Sequence, residues 1–262
     1  MSLFSLRSVS YDLPGRRLIH DLTLTLEPGC VTALIGRNGS GKSTLLKLLA
    51  GQIRPAAGEI RYRDRLLADW PRRDLARDMA YLPQVTPPAE GMRLRELVSL
   101  GRYPWHGALG RFRPEDHAAT ERAMARCGLA GLEERLVDTL SGGERQRGWL
   151  AMMIAQGAEC LLLDEPTSAL DIAHQVEVLG LVRGMSRETG LAAVIVLHDV
   201  NMAAQYADRV VAMKGGHLVL NGPVESLLQP EALQLVYDLP MQLHAAGEQR
   251  LAWPVRERDA PG

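Results

Sequence analysis

Three short stretches of this sequence contain the residue types that phosphate chemistry needs. The first, GRNGSGKST at 36–44, has the spacing G-x-x-x-x-G-K-[ST] between a buried-strand pattern and a helical pattern. Its glycines let backbone N–H groups approach phosphates, Lys42 reaches the β- and γ-phosphates, and the Ser43 hydroxyl is placed for Mg²⁺. We therefore expect a nucleoside triphosphate to bind the residues of this loop: Gly36, Arg37, Asn38, Gly39, Ser40, Gly41, Lys42, Ser43 and Thr44.

The second stretch, LLLDEP at 161–166, ends an apolar strand with two acidic residues. Asp164 at the end of the strand can hold Mg²⁺ through water. Successive strand residues point in different directions, so we expect Glu165 to face an attacking water while Asp164 faces the metal. An isolated Asp-Glu pair would be an ordinary exposed strand end, but a phosphate loop in the same chain favours the catalytic interpretation.

Three further residues are candidates for the same site. His198 ends the strand LAAVIVL, and the carboxyl ends of parallel strands form the ligand edge of such sheets. We therefore expect Gly36, Asp164 and His198 to meet at one edge. Gln84, just after MAYLP, is a candidate ligand of water or Mg²⁺. Tyr11 offers a ring on which adenine can stack, although an ordinary half-buried strand tyrosine explains it equally well.

The third stretch, LSGGERQRG at 140–148, is a second anion site by the same reasoning. Ser141 supplies a hydroxyl, and Gly142 and Gly143 begin a helix whose first N–H groups no side chain obstructs. The chain thus carries two phosphate-binding loops about a hundred residues apart. Their presence in one domain requires an explanation.

The pattern of elements predicts an α/β fold. SLRSV and LTLTL alternate like antiparallel strands, whereas CVTALI, MAYLP, CLLLD and LAAVIVL are buried-strand runs separated by helical segments. We expect a P-loop NTPase core with a parallel sheet flanked by helices, an N-terminal antiparallel β portion and an inserted α-helical subdomain. RVVAMKGGHLVLNG predicts a hairpin that turns at its two glycines. The core is assigned to 1–84 and 158–240, the helical subdomain to 85–157, and a C-terminal tail to 241–262, whose last dozen residues look loose.

The composition argues against several classes of protein. The 262 residues are 46% hydrophobic and 23% charged with a net charge of −1, so no global field would attract nucleic acid. Arginines and aspartates are interleaved at 61–78, which favours a solvated helical face. The three cysteines are widely spaced and indicate neither a disulfide framework nor a metal site. No signal peptide is recognisable, and the longest apolar run, 191–197, is far below the ~18 residues of a membrane span. We expect a cytosolic protein.

Together these motifs resemble those of the ATP-binding-cassette (ABC) ATPases, in the same order over nearly the whole chain. LSGGERQ followed by LLLDEPTSALD is close to diagnostic for that family. The resemblance implies ATP and Mg²⁺ as cofactors, with catalytic and metal-binding residues among Lys42, Ser43, Gln84, Asp164, Glu165 and His198. It also places Tyr11 against adenine, 36–44 in the Walker A loop, Gln84 in the Q-loop, 140–146 in the signature, 161–164 in the Walker B strand and 168–171 in the D-loop.

The resemblance also implies a reason for the second loop. In this family two nucleotide-binding domains pair head to tail, and the signature of one chain caps the γ-phosphate held by the Walker A loop of the other. It therefore implies a homodimer in which Ser141, Gly142, Gly143 and Glu144 contact the ATP of the partner.

Three longer segments narrow the resemblance. GRYPWHGALGRF, TSALDIAHQVEVL and LHDVNMAAQYADRVVAMKGG are similar to the ATPase subunits of iron–siderophore, haem and cobalamin importers, the ferric-hydroxamate (ferrichrome-type) importer above all. This implies an ATPase bound peripherally to the cytoplasmic side of the bacterial inner membrane. Its partners would be a polytopic membrane permease and, indirectly, a periplasmic substrate-binding protein, with no nucleic acid.

Several alternatives stay open beside that function. They are the ATPase of a haem or cobalamin importer and a soluble single-cassette ATPase such as a cluster-assembly factor. A P-loop GTPase is disfavoured because no [NT]-K-x-D motif occurs in the sequence. An ATP sensor without catalysis is disfavoured because both Glu165 and His198 are present.

One aromatic segment indicates where a permease would dock. Residues 91–106, GMRLRELVSLGRYPWH, contain Tyr103, Pro104 and Trp105 in a segment that reads as partly exposed. Exposed aromatic residues often mark interfaces, and in the family this region receives a coupling helix of the permease. The alternative is an aromatic corner packed within the helical subdomain.

Overall fold

The computed structural model shows most of the chain as two compact units. The described residues are 2–107, 110–168, 170–247 and 249–255. The first unit combines residues 1–68 with 194–262, and the second consists of 69–193. The chain therefore leaves the first unit once and returns to it. Among the described residues no helix is both long and apolar enough to cross a membrane.

Long alternating strands begin the first unit. Its elements up to residue 68 are β1 (Phe4–Leu13), β2 (Arg16–Leu26), β3 (Val31–Ile35), α1 (Lys42–Leu49), β4 (Ala57–Tyr62) and β5 (Arg65–Leu66). β2, β1, β4 and β5 pair in that order in an antiparallel sheet, which confirms the predicted N-terminal portion. The alternation in LTLTL buries Leu22, Leu24 and Leu26, as expected of a strand with one face on a core.

The second unit contains most of the predicted helices. Its elements are α2 (Arg72–Asp78), β6 (Met79–Leu82), α3 (Leu94–Ser99), α4 (Tyr103–His106), α5 (Pro114–Arg126), α6 (Gly142–Gln156), β7 (Cys160–Leu163), α7 (Ile172–Thr189) and β8 (Ala192–Val196), whose last three residues belong to the first unit. β6 and β7 pair in parallel, and every residue of β7 is buried. The inserted helices confirm the helical texture predicted before residue 157.

The arginine-rich stretch 61–78 does not form one helical face, so that prediction is wrong in its first half. Residues 61–66 end β4 and form β5, and the turn between them uses positive φ at Arg63 (48°) and Asp64 (63°). Only α2 is α-helical, and it has no buried residue, although Arg73 and Arg77 on it donate hydrogen bonds to the Pro104 carbonyl (2.8 and 3.0 Å). Helical periodicity was weak here, and the turn overrode it.

The chain then returns to complete the first unit. The remaining elements are α8 (Val200–Tyr206), β9 (Arg209–Lys214), β10 (His217–Pro223), α9 (Pro230–Tyr237), β11 (Met241–Ala246) and β12 (Gln249–Pro254). β9 pairs in parallel with β3 and antiparallel with β10, which confirms the hairpin that turns at Gly215 and Gly216. All residues of β3 are buried, as is typical of a strand covered on both faces.

The C-terminal residues are more ordered than the sequence predicted. β11 and β12 form an antiparallel hairpin that includes residues 251–254, so the expectation of a loose end is wrong there; 256–262 lie outside the described residues. A side chain of α8 explains the order. Asn201 accepts a hydrogen bond from the Ala252 N–H (2.8 Å) and donates one to the Ala252 carbonyl (3.3 Å). This amide takes the place of a neighbouring strand.

Candidate functional site

The phosphate loop folds around its own lysine. It starts where β3 ends and finishes in the first turn of α1. Lys42 is 5% exposed, and its Nζ donates to the carbonyl oxygens of Gly36 (2.8 Å) and Arg37 (3.1 Å). The helix cap is Gly41, which provides no side-chain acceptor for the first N–H groups of α1. An ammonium group and an uncapped helix start are thus presented together, and both attract phosphate.

Close packing explains two glycines of this loop. Gly36 has φ 139°, and an added Cβ would lie 2.2 Å from the Met213 carbonyl oxygen; Gly41 has φ 101°, and its Cβ would lie 2.8 Å from Ile19 Cδ1. β9 and β2 therefore approach the loop too closely for any side chain. The Ser40 hydroxyl is buried and has no hydrogen-bond partner within the described residues. A bound phosphate would satisfy such an atom.

Tyr11 lies on a strand pair that contacts the phosphate loop. It is opposite Ile19 in the register of β1 and β2, at an irregularity of the pairing. Ile19 is the residue that packs at Gly41. The ring of Tyr11 is half-buried, so both interpretations of it fit, and adenine stacking stays a prediction.

His198 reaches the same sheet edge as the phosphate loop. The Leu197 N–H donates to the Leu34 carbonyl (3.1 Å), so β8 and β3 end side by side. Gly36 follows β3 directly, and His198 follows β8 after Leu197. His198 is exposed, and Asp199 after it caps α8. The expected meeting of Gly36 and His198 at one edge is therefore found within the first unit.

A corresponding edge in the second unit carries Gln84, Asp164 and Glu165. β6 and β7 end together, because the Asp164 N–H donates to the Leu82 carbonyl (2.9 Å). Asp164 is 2% exposed, whereas Glu165 is half-buried and accepts a hydrogen bond from Gln84 Nε2 (2.7 Å). The acidic pair thus separates into a buried carboxylate and one that faces Gln84.

The cause of that separation differs from the predicted one. β7 ends at Leu163, and Glu165 adopts φ 50°, in the left-handed region. For a residue other than glycine this conformation costs about 1 kcal/mol or more. The Ser168 N–H closes the turn on the Glu165 carbonyl (3.3 Å). A strained turn, and not strand alternation, directs the carboxylate.

The residues expected to hold Mg²⁺ have suitable chemistry. Burial, and then the nearby Asp164 carboxyl group, raise the pKa of Tyr81 to about 12, so these two side chains lie close together. The Tyr81 hydroxyl is buried without a hydrogen-bond partner in the described part of the chain, which leaves it available to metal-bound water. Ser43 adds a hydroxyl in the first turn of α1. Carboxylate, hydroxyl and amide oxygens are ligands that Mg²⁺ prefers, so Asp164, Ser43 and Gln84 fit.

The signature stretch forms a helix start that caps itself. Ser141 Oγ accepts from the Glu144 N–H (3.2 Å), and the Glu144 carboxylate accepts from the Ser141 N–H (2.8 Å), a capping box. The hydrogen bond from the Ser141 N–H holds the pKa of Glu144 below its usual range. Ser141 and Gly142 are exposed, whereas Gly143 is buried. The His174 ring covers the side of Gly143 on which a Cβ would lie.

A cleft in the second unit joins the signature to Glu165. Its volume is about 250 Å³. The polar residues around it, with one glycine, are Gln84, Thr86, Glu165, Ser168, Gly142, Arg145 and Gln146. The cleft is large enough for several water molecules.

Sequence reasoning missed three residues near these sites, namely Tyr81, His174 and Asp238. The Arg37 guanidinium binds the Asp238 carboxylate (3.0 Å), which Lys214 also binds. Tyr81 and His174 likewise gain their neighbours only through packing. Asp238 alone has a local signal, since it follows α9 with φ 55°, and aspartate tolerates that conformation better than most residues.

Comparisons with known proteins give a consistent result. The family model of the ABC transporters matches residues 19–168. The chain is 37% identical over 243 residues to the iron(3+)-hydroxamate import ATP-binding protein FhuC of Bacillus subtilis (strain 168), which covers 93% of this chain and 90% of FhuC. It is 45% identical over 234 residues to the hemin import ATP-binding protein HmuV of Gloeobacter violaceus, a match that covers 87% of this chain and 84% of HmuV. A solved inward-facing ABC transporter assigned to the metal-chelate type has a TM-score of 0.85 at 26% identity and covers 98% of this chain and 99% of that chain.

Proposed function

This chain belongs to the ABC transporter family as an ATP-hydrolysing subunit, in the iron–siderophore and haem import group, and from this premise we propose that it drives uptake of a ferric siderophore of the hydroxamate type through a separate permease. The observation that carries the proposal is the similarity to FhuC over 93% of the chain. The ATPase need never touch the cargo, so the cargo follows from that similarity and not from the site.

Hydrolysis requires Glu165 to leave Gln84. The hydrogen bond between them occupies an oxygen of the carboxylate that would accept a proton from the attacking water. With ATP on the phosphate loop, Lys42 balances the charge that develops on the γ-phosphate. Ser43, Asp164 and Gln84 would hold Mg²⁺, which would supply positive charge to the triphosphate. Gln84 is both the hydrogen-bond partner of Glu165 and an expected Mg²⁺ ligand. Its departure from Glu165 would therefore free the base for reaction.

The signature serves ATP bound by a second copy of the chain, in a head-to-tail homodimer. Ser141 and Gly142 are exposed, so this helix start is accessible to a phosphate from outside the chain. ATP then shifts the dimer toward its closed form by its greater affinity for that form. A signature that acts within its own chain is the concrete alternative, because Gly142 and Glu165 line one cleft.

The contact with the permease is proposed at the corner around α4. Tyr103 is 53% exposed, and Trp105 is 41% exposed. Trp105 also has internal partners: its N–H donates to the Gln156 carbonyl (2.7 Å), and the guanidinium carbons of Arg77 and Arg102 lie 5.1 and 4.8 Å from its ring centroid. The packed-corner interpretation therefore describes Trp105, and the docking interpretation describes Tyr103.

Replacing each aromatic residue separates these two roles. Tyr103→Ala should abolish transport and leave the basal ATPase of the isolated subunit nearly intact, because it removes only an exposed ring. Trp105→Ala should lower both activities and the thermal midpoint, because it removes internal contacts. Normal transport by Tyr103→Ala would place the permease elsewhere.

Haem is a second candidate cargo. The identity to HmuV, 45%, exceeds the 37% to FhuC, although it covers a smaller share of the chain. In either case the chain would lie on the cytoplasmic side of the membrane, attached through the permease, and a periplasmic binding protein would deliver the cargo.

Uptake by cells that lack this chain distinguishes the candidates. Wild-type chain or the Lys42→Ala variant is returned, and uptake of labelled ferric hydroxamate, haem and cobalamin is measured. Hydroxamate uptake restored by the wild type alone supports the proposal, and restored haem or cobalamin uptake instead changes the cargo. No uptake defect, together with failure to co-purify with a polytopic membrane protein, would favour a soluble ATPase.

A further inference from the structure

The second signature glycine lies beneath an imidazole ring. A Cβ added to Gly143 would be 2.1 Å from His174 Cδ2 and 2.6 Å from His174 Nε2. Its neighbour Gly142 differs, since the nearest atom to an added Cβ is Leu170 Cδ2 at 4.0 Å. Contacts within this chain therefore require a glycine at the second position and allow a side chain at the first.

The D-loop holds that ring in place. Asp171 caps α7, and its Oδ1 accepts from both the backbone N–H (3.0 Å) and the ring Nδ1–H (2.8 Å) of His174. These hydrogen bonds, the backbone one first, hold the pKa of Asp171 below its usual range, so the carboxylate stays ionised. Because Nδ1 donates to Asp171, the opposite edge of the ring, Cδ2 and Nε2, is the edge that covers Gly143.

Two neighbouring contacts make the start of α7 a junction. Gln175 Nε2 donates to the Leu170 carbonyl (2.9 Å) and more weakly to the Thr167 carbonyl (3.3 Å), which ties the D-loop to α7. Arg147 of α6 forms an ion pair with Glu177 of α7. The same helix turns thus contact the D-loop on one side and the signature helix on the other.

We propose that His174 is a positioning residue that fixes the start of the signature helix to the D-loop of the same chain. The D-loop follows Glu165 closely in sequence, so this contact links the base of one ATP site to the signature of the other. The link between sites rests on the proposed function, whereas the packing of the ring on Gly143 does not. Packed side chains transmit small displacements because interiors leave little free volume.

Steric complementation between positions 143 and 174 tests the proposal. Gly143→Ala should displace the ring, lower kcat at least about tenfold and lower the thermal midpoint. His174→Ala should lower kcat by about three- to fivefold with an unchanged KM for ATP, because the ring touches the signature and not the nucleotide. The double variant has room for the new methyl group, so its kcat and midpoint should return to those of His174→Ala.

Two other glycines provide matched controls. Gly180 on α7 has no atom within 4 Å of an added Cβ, so Gly180→Ala should leave kcat unchanged and raise the midpoint slightly, because alanine favours a helix interior. Gly142→Ala should impair hydrolysis through its contact with the partner's ATP. His174→Ala should not rescue it, because the ring does not obstruct that position.

The outcomes separate this inference from the proposed function. A double variant as impaired as Gly143→Ala would overturn it, because something other than His174 would then require the glycine. A His174→Ala enzyme with wild-type kcat would also overturn the inference. If Gly143→Ala fails to fold, folding of the double variant is the rescue that must be seen. The proposed function fails by different observations, namely no restored uptake of ferric hydroxamate or a signature that acts within its own chain.

Discussion

The two glycine-rich helix starts of this chain are built in opposite ways. The phosphate loop has positive φ at Gly36 (139°), Gly39 (77°) and Gly41 (101°), and its helix has no side-chain cap. The glycines of the signature are helical, and Ser141 and Glu144 cap that helix reciprocally. The phosphate loop leaves its backbone N–H donors to a ligand, whereas the signature pairs some of its backbone N–H donors with its own side chains.

This difference explains why one chain carries both loops. Left-handed glycines, an uncapped helix and the buried Lys42 form a receptor that can hold a triphosphate without help. The signature keeps one hydroxyl and the positive end of a helix dipole, which is enough to add to a bound phosphate but not to enclose it. We infer that the phosphate loop binds the nucleotide and that the signature completes the site around the bound phosphate. The predictions below test that division.

The largest expected effect comes from removing the base while leaving both loops intact. Glu165→Gln keeps the shape of the side chain but removes the basic carboxylate, which typically costs about 10²–10⁴-fold in turnover. ATP should still bind, and the dimer should stay closed around it. Turnover and nucleotide retention are measured together on the purified chain. Turnover above about a tenth of wild type would contradict the assignment of Glu165.

Mixed dimers test whether the two loops meet across chains. Lys42→Ala damages a site through its own chain, and Ser141→Arg damages one through the partner. Mixed chains carrying one change each form dimers with one intact site, so ATP-dependent closure, read by cross-linking, should recover in about half of the dimers. The double variant mixed with wild type should leave both sites of each mixed dimer damaged. Recovery in the second mixture but not the first would show a signature that acts within its own chain.

Much of both loops could be predicted from the sequence because their signals are local. Glycine spacing, a preceding buried strand and a following helix are all within ten or so residues of the phosphate loop. The positions of Asp164 and His198 after apolar strands were equally readable, since parallel strands end at the ligand edge.

What the sequence did not show depends on packing between distant segments. The left-handed turn at Glu165 has no residue such as glycine to announce it. The reason for Gly143 lies in His174, and the order of the C-terminal hairpin lies in the Asn201 amide. None of these contacts has a sequence period or a fixed spacing, so pattern reasoning showed neither the His174 contact at Gly143 nor the order of residues 251–254.

A smaller effect should distinguish the two helix starts by pH. The folded-state pKa of Glu144 is lowered from 4.5, so its charge stabilises the folded state above pH 4.5, and that contribution is lost as the pH falls through the lower folded value. Glu144→Gln keeps an acceptor but removes the charge. It should lower the free energy of unfolding by less than about 1 kcal/mol at pH 7 and by nothing at the lowest pH at which the chain folds. Denaturant titrations of both proteins across that range measure the difference, and a difference independent of pH would exclude a role of the charge.

The smallest expected effect concerns the phosphate loop's own counter-charge. Asp238 binds Lys214 and Arg37, and these hydrogen bonds keep its pKa below the ordinary value, so it is ionised wherever the enzyme is assayed. Asp238→Asn keeps a residue that tolerates φ 55° while removing the charge opposite Arg37. The loop becomes more positive, so the KM for ATP should fall by less than about fivefold, and the change should shrink as salt is added. The Arg37→Gln, Asp238→Asn double variant should lose the gain, because the freed guanidinium is then absent. A rise in KM that is insensitive to salt would mean instead that the pair shapes the loop, and the phosphate loop would then depend on a side-chain support as the signature does.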